Sequence, residues 1–336
     1  MKTIILTLCQ WLGLFSLAKI LTARRPRILC YHGIAVEDEH LFSPGVFMQS
    51  STFARRMALV AKWGYKPVSL DELYRQHHAG QYGKDTLVIT IDDGWAAIEY
   101  GMLPALKKHN FPATLYLCTY FVVNQRPVFK LAVYYLFWKY KGPLTLSDSS
   151  CLKPYTTLQQ LGINELLKLA AELGSAFEQP ILQELADCFD EDLTNWQYTC
   201  KLMFLSPEKV TALAKQGLAI ELHTHRHKFL KLDSAEMTKE IIDNQHVISQ
   251  LTGKIAQHFC YPSGNHRPEQ LHVLNNMELK TATTTENGLV NARSHPLTLP
   301  RLMDRDNISD LEFEAELCGV MTLLRELTSF FKRGRQ

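Results

Sequence analysis

Residues 86 to 91, "TLVITI", are a continuous apolar and β-branched run that stops at "DDG". A strand with no polar face has to be covered on both sides, the condition met in a parallel sheet flanked by helices. Similar short runs recur at "RILCYH" (27–32), "PATLYLC" (112–118), "LAIEL" (218–222), "HFCY" (258–261), "KTATTT" (280–285) and "LTLPRL" (297–302), with "YKPVSL" (65–70) as a shorter one. Helical patterns fill the intervals. Phe53, Met57 and Val60 stand at helical spacing before Gly64, and Ser206-Pro-Glu supplies a cap, a first-turn proline and an acidic residue. Asp233 or Ser234 can cap a long helix to about residue 252, and further helices are expected at 267–276 and 309–330. Strands alternating with helices make βα units. Seven or eight of them predict an α/β fold: one distorted (β/α) barrel of about seven strands over residues 26–330.

Residues about 120–205 break this rhythm with helical, aromatic-rich sequence such as "VFKLAVYYLFWKYKG". No flexible linker flanks them, so they read as a helical insertion within the barrel. Phe129, Tyr134, Tyr135, Phe137 and Trp138 are expected mostly in its core, because so many exposed aromatics would form an apolar patch.

The N-terminal stretch, residues 1–25, is the one compositional anomaly. Residues 3–18 carry no charge, yet sixteen helical residues reach only about 24 Å against a hydrocarbon core of about 30 Å. The reading is a single apolar helix, membrane-associated or docked on the barrel. Lys19, Arg24, Arg25 and Arg27 follow the apolar run, so a spanning helix would leave the main domain in the cytoplasm. The expectation is therefore inner-membrane association on the cytoplasmic face, with a periplasmic alternative if residues 1–23 act as a signal. A narrow polar stripe at Thr3, Thr7, Gln10 and Gly13 equally allows an interfacial helix.

With 36 basic and 34 acidic residues in 336, and no basic block interleaved with aromatics, nucleic acid is an unsuitable partner. The eight cysteines show no CxxC pairing, which argues against a thiolate zinc site and for a reducing compartment.

Asp92 and Asp93 therefore need another explanation. Burying adjacent carboxylates at a strand end is costly unless they are paired or bound to a cation. A solvated Asp-Gly turn is the simplest alternative. Successive residues at a strand end face different sides, so one carboxylate can bind a metal while its neighbour faces a water on it. "LAIEL" followed by "HTHRH" brings His223, His225 and His227 to what would be the same rim. Carboxylate with imidazole suits zinc or a similar divalent ion, with cobalt, nickel and manganese possible.

"TIDDG" followed by "HTHRH" resembles the leading motifs, T-F-D-D-G and H-S/T-x-x-H, of the NodB-type polysaccharide deacetylases of carbohydrate esterase family 4. "ILCYHGI" and "HFCYPSG" resemble further signatures, in the order of the subgroup that deacetylates exopolysaccharides. The resemblance covers roughly residues 27–120 and 206–305. It implies Asp92 as general base, Asp93, His223 and His227 as metal ligands, His32 as general acid, and the backbone N–H around Ser263 as oxyanion donor. Cys260 stands where the family has an arginine that steadies the catalytic aspartate; Arg301 in "LPRLMD" is the candidate to replace it. The implied activity is removal of N-acetyl groups from an amino-sugar polymer of the cell envelope or a lipid-linked glycan.

Three alternatives remain at this level. An HxH pair, His223 with His225, would make a different metal site. A small non-sugar amide could be the substrate. A glycan-binding protein with a degenerate site is the third, kept open by the missing arginine.

Overall fold

The computed structural model describes residues 2–148 and 150–333 of the chain. Seven parallel strands form a closed ring: β1 (Arg27–Tyr31), β2 (Thr86–Asp93), β3 (Thr114–Leu117), β4 (Ala219–Leu222), β5 (His258–Cys260), β6 (Thr281–Asn287) and β7 (Leu299–Met303). Each strand pairs with its successor in the chain, and β7 closes on β1. β1 is held along its whole length, from Arg27 beside Leu87 to Tyr31 beside Ile91. All residues of β1 and all but the last of β2 are buried, as expected of strands covered inside and outside. Lys66–Pro67, within the "YKPVSL" run, pairs only with the start of β2 and stays outside the ring.

The helices used below are α1 (Lys2–Trp11), α2 (Leu14–Leu21), α3 (Ser50–Lys62), α4 (Phe129–Tyr140), α5 (Glu178–Cys188), α6 (Ser234–Thr252), α7 (Asp310–Leu317) and α8 (Val320–Arg333). α6 starts in a capping box, in which the Asp233 side chain accepts from the Glu236 N–H and the Glu236 side chain accepts from the Asp233 N–H. It stops at Gly253, whose φ is 70°.

Two expected single helices are broken. The apolar stretch at the N-terminus is two helices bent by 77°, with Gly13 at φ 75° between them. Among the described residues no single helix is long and apolar enough to cross a membrane. The last helix divides into α7 and α8 at Gly319, φ 87°, where an added Cβ would come within 2.7 Å of the Thr22 hydroxyl.

The insertion is helical, with α4 and α5 packed together and one small antiparallel pair, Leu144–Thr145 with Gln160–Leu161. Tyr135 is fully buried, edge-on to Phe42 and Trp196, and Trp138 leans on Phe42. Tyr134 alone of the five aromatics is exposed. Buried Lys201 links the insertion to the loop after β1 by ion pairs to Glu191 at 3.0 Å and Glu37 at 2.9 Å. All eight cysteines are free.

Candidate active site

The C-terminal ends of the strands converge on a cluster of carboxylates and imidazoles. β2 ends in Asp92 and Asp93, and the pleat sends their side chains to different sides. Asp93 adopts φ 75°, and Gly94 follows at φ 108°, where a Cβ would lie 2.4 Å from Leu117. That close approach to β3 explains the glycine of "DDG".

Asp92 is buried and meets Arg301 of β7 face to face, each Nη donating to one carboxylate oxygen at 2.8 Å. The Cys260 and Cys30 thiols donate to Oδ2 at 3.4 and 3.6 Å. Burial pulls the Asp92 carboxyl upward, but the Arg301 charge and hydrogen bonds more than offset it and bring it down to about 2. His32, just past β1 and partly exposed, places Nε2 3.8 Å from Asp92 Oδ2.

Asp93 serves a second cluster. Its Oδ1 lies 3.3 Å from His223 Nε2 and 3.6 Å from His227 Nε2, while Oδ2 accepts from the Trp95 indole at 2.9 Å. Burial raises the Asp93 carboxyl, and the histidine contacts outweigh it, so the group sits well below the ordinary carboxylate range. Burial disfavours a charged His223, but its contacts with Cys260 and Asp93 move it upward; His227 is lowered, chiefly by burial.

The two imidazoles lie 4.9 Å apart between ring centroids. No helical turn brings them together. The loop after β4 is irregular, with Thr224 at φ 63° and His227 at φ 56°, and these two left-handed residues fold the chain back. The His223 N–H is held by Asn244 of α6 at 2.9 Å. His223 Nδ1 lies 2.8 Å from the Cys260 carbonyl; that contact places a proton on Nδ1 and aims Nε2 at Asp93.

His225 turns away from the cluster. Its Nδ1 meets the Thr119 hydroxyl at 2.8 Å, and its backbone is tied to Glu240 and Tyr120. The geometry therefore leaves no HxH pair. Ser263 stands exposed on the turn after β5 at φ 60°. Asp304, near Arg301 in sequence, pairs instead with Arg56 of α3 at 3.0 Å.

A metal fits the donor set. Ligand atoms at about 2.0–2.1 Å from a tetrahedral ion lie about 3.4 Å from one another, close to the observed 3.3 and 3.6 Å. The buried Cys118 thiol, at the end of β3, belongs to the same cluster of donor atoms, all within 4.8 Å of one another, and donates to the His223 carbonyl. Cys118 and Trp95 were not singled out from the sequence. The tryptophan directly follows "DDG", and that adjacency was the only signal for it.

The polysaccharide deacetylase family model matches residues 79–282, a span that contains Asp92, Asp93, His223, His227 and Ser263 and leaves out His32 and Arg301. A comparison with curated proteins returned no match. Three solved structures share the fold. The deacetylase PplD of Streptococcus pyogenes, in complex with acetate, is 18% identical with a TM-score of 0.59 over 87% of this chain and 98% of its own. IcaB of Ammonifex degensii is 12% identical with a TM-score of 0.56, covering 88% and 98%. A de-N-acetylase of Aggregatibacter actinomycetemcomitans is 12% identical with a TM-score of 0.55, covering 87% and 99%.

Proposed function

The chain belongs to the polysaccharide deacetylase family, and from that premise we propose that it is a metal-dependent hydrolase that removes N-acetyl groups from the amino sugars of a cell-envelope polysaccharide or lipid-linked glycan precursor. One observation carries the reading: an ionised aspartate clamped by Arg301 stands next to an Asp93–His223–His227 donor set on one barrel rim.

Asp93, His223 and His227 would hold the ion, and two imidazoles with a carboxylate suit zinc. Bound there, a divalent cation would supply Lewis acidity, easing deprotonation of water and polarising the acyl carbonyl. Asp92 takes the proton from the attacking water. Arg301 is a positioning residue: its two bonds fix the carboxylate plane and keep it ionised at neutral pH. The Ser263 backbone N–H faces the developing oxyanion, a contribution of about 3–4 kcal/mol where such a donor is well placed. His32 gives a proton to the departing nitrogen as the C–N bond breaks. The products are acetate and a free amino sugar.

Cys260, standing where the family has its arginine, pointed towards a degenerate site. Arg301 reaches Asp92 from β7 instead, which supports a working one.

The test is acetate release from N-acetylglucosamine and N-acetylgalactosamine oligomers, before and after chelation and after return of Zn²⁺, Co²⁺, Ni²⁺ or Mn²⁺. Release lost on chelation and restored by an ion is the expected result. Release that persists undiminished in metal-free protein would sink the metal-dependent reading, and hydrolysis of small amides alone would move the substrate away from glycans.

A further inference from the structure

The N-terminal helix pair is tied to the barrel on one face and bare on the other. Leu6, Phe15 and Ala18 pack against Ala315, Cys318 and Val320 of α7, α8 and the turn before α8. Lys2 pairs with Glu312 at 2.7 Å, Gln10 Nε2 donates to Glu314 at 2.6 Å, and the buried Thr22 hydroxyl donates to the Cys318 carbonyl at 3.1 Å. Lys19 Nζ donates to the Trp63 carbonyl. The pair is thus an integrated part of the fold.

Its outer face is apolar. Nine of the twenty exposed large hydrophobic side chains among the described residues fall between Ile4 and Leu21, including Leu8, Trp11, Leu12, Leu17 and Ile20. Trp11 is 87% exposed. A patch this concentrated marks an interaction surface. Leu324 and Leu327 of the neighbouring α8 are also exposed.

Charge selects the partner. The first acidic residue in the chain is Glu37, and Lys2 and Arg24 stand exposed at the two ends of the apolar segment, whereas Arg25 pairs with Glu326 and Arg27 is buried. Two copies joined symmetrically through this face would bring like charges together. An apolar face with the exposed side chains of Lys2 and Arg24 at its two ends suits anionic lipid headgroups over an acyl boundary. The 77° bend and the buried inner face suit a pair that lies in the interface.

The placement of α1 adds a functional consequence. Lys2 and Leu6 of α1 line a cavity of about 460 Å³ with Thr285 and Asn287 of the C-terminal half of β6, Met303 at the end of β7 and Arg305 beyond it. That is the rim from which Arg301 holds Asp92. We propose that α1 and α2 dock the protein on an anionic bilayer surface with the catalytic rim beside it, so that the glycan it deacetylates is one carried at the membrane. The second half of this inference rests on the deacetylase reading; the docking does not.

The experiment is sedimentation of the full-length chain with phosphatidylcholine vesicles, with and without phosphatidylglycerol, for the wild type and for Trp11→Glu/Leu17→Glu. The expected result is binding to the anionic vesicles that falls at least about tenfold in the variant, with unchanged thermal unfolding and unchanged acetate release from a soluble N-acetylated oligomer. Wild-type protein that stays in solution overturns the docking, as does equal sedimentation of the variant. A concentration-dependent dimer abolished by the same substitutions would identify a second copy as the occupant and also overturn it. Vesicle binding without acetate release from any N-acetylated glycan would leave the docking standing and remove the deacetylase reading alone.

Discussion

Two buried aspartates stand at the same end of the barrel, and each faces an arginine. Arg301 gives both of its terminal nitrogens to Asp92. Arg56 gives Asp304 only its Nε, and spends its other nitrogens on Asp310 and on the Ile308 carbonyl. Burial raises both carboxyls. Asp92 is nevertheless brought down to about 2, while Asp304 remains up at about 6. The difference teaches that a nearby guanidinium does not by itself keep a buried carboxylate charged; how much of the guanidinium it receives decides the outcome. Asp92 receives both terminal nitrogens of its arginine, and Asp304 receives neither.

Replacing one carboxylate oxygen breaks the comparison most severely. Asp92→Asn keeps the shape but cannot accept the water proton, so acetate release should fall by about 10²–10⁴-fold while metal per chain stays at the wild-type level. Turnover near the wild-type rate would remove Asp92 from the role of base.

Arg301→Ala leaves a buried charge without its partner and should cost about 3–5 kcal/mol in denaturant unfolding. The native Asp92 carboxyl lies below its unfolded value of about 3.9. Its contribution is therefore present above that value and lost as pH falls towards about 2. In Arg301→Ala the loss should begin at higher pH, and the acidic limb of kcat/KM should shift the same way, with Arg301→Lys restoring part of it. An unmoved acidic limb would mean that Arg301 does not set the charge of Asp92.

Trp95→Phe extends the comparison to Asp93, whose second oxygen would lose its indole donor. Metal affinity, measured by competition with a chelating dye, should drop about 10–100-fold. Unchanged affinity would show that the imidazoles alone orient Asp93.

Asp304→Asn is the mildest change. The native carboxyl lies above the unfolded one, so its contribution is complete below about pH 4 and lost as pH rises through about 6. Wild-type stability should therefore gain roughly 1–3 kcal/mol from this group between pH 7 and pH 4.5, a gain the variant lacks. Parallel stability profiles for the two proteins would show that Arg56 holds Asp304 ionised after all.

The ring of seven strands was legible because most of its strands are short apolar or β-branched runs bounded by helical pattern, and burial on both faces leaves that mark in the sequence. Asp92, Asp93, His223 and His227 come together because their motifs lie at strand ends, where a barrel collects them. The loop that joins the two histidines was not legible. It depends on Thr224 and His227 adopting positive φ, which a β-branched threonine argues against and a histidine only permits. Cys118 and Asn244 were hidden for a related reason: an apolar run conceals which thiol faces a cluster, and a helix pattern conceals which amide turns inward. The break at Gly13 was visible as a glycine, but a glycine in an apolar helix is often tolerated, and only the packing of Phe15 and Ala18 on α7 and α8 shows why the chain bends.

Two of the three candidate ligands, Asp93 and His227, occupy the left-handed region of the backbone. Aspartate, asparagine and histidine enter it several times more readily than other side chains, whereas most others pay about 1–2 kcal/mol. Each position must therefore satisfy a coordination alphabet and a conformational one at once, and their overlap is very small. An engineer seeking a softer or larger ion through Asp93→Glu or His227→Cys would meet the backbone before the metal. The room for redesign lies at His223, whose backbone is not in that region.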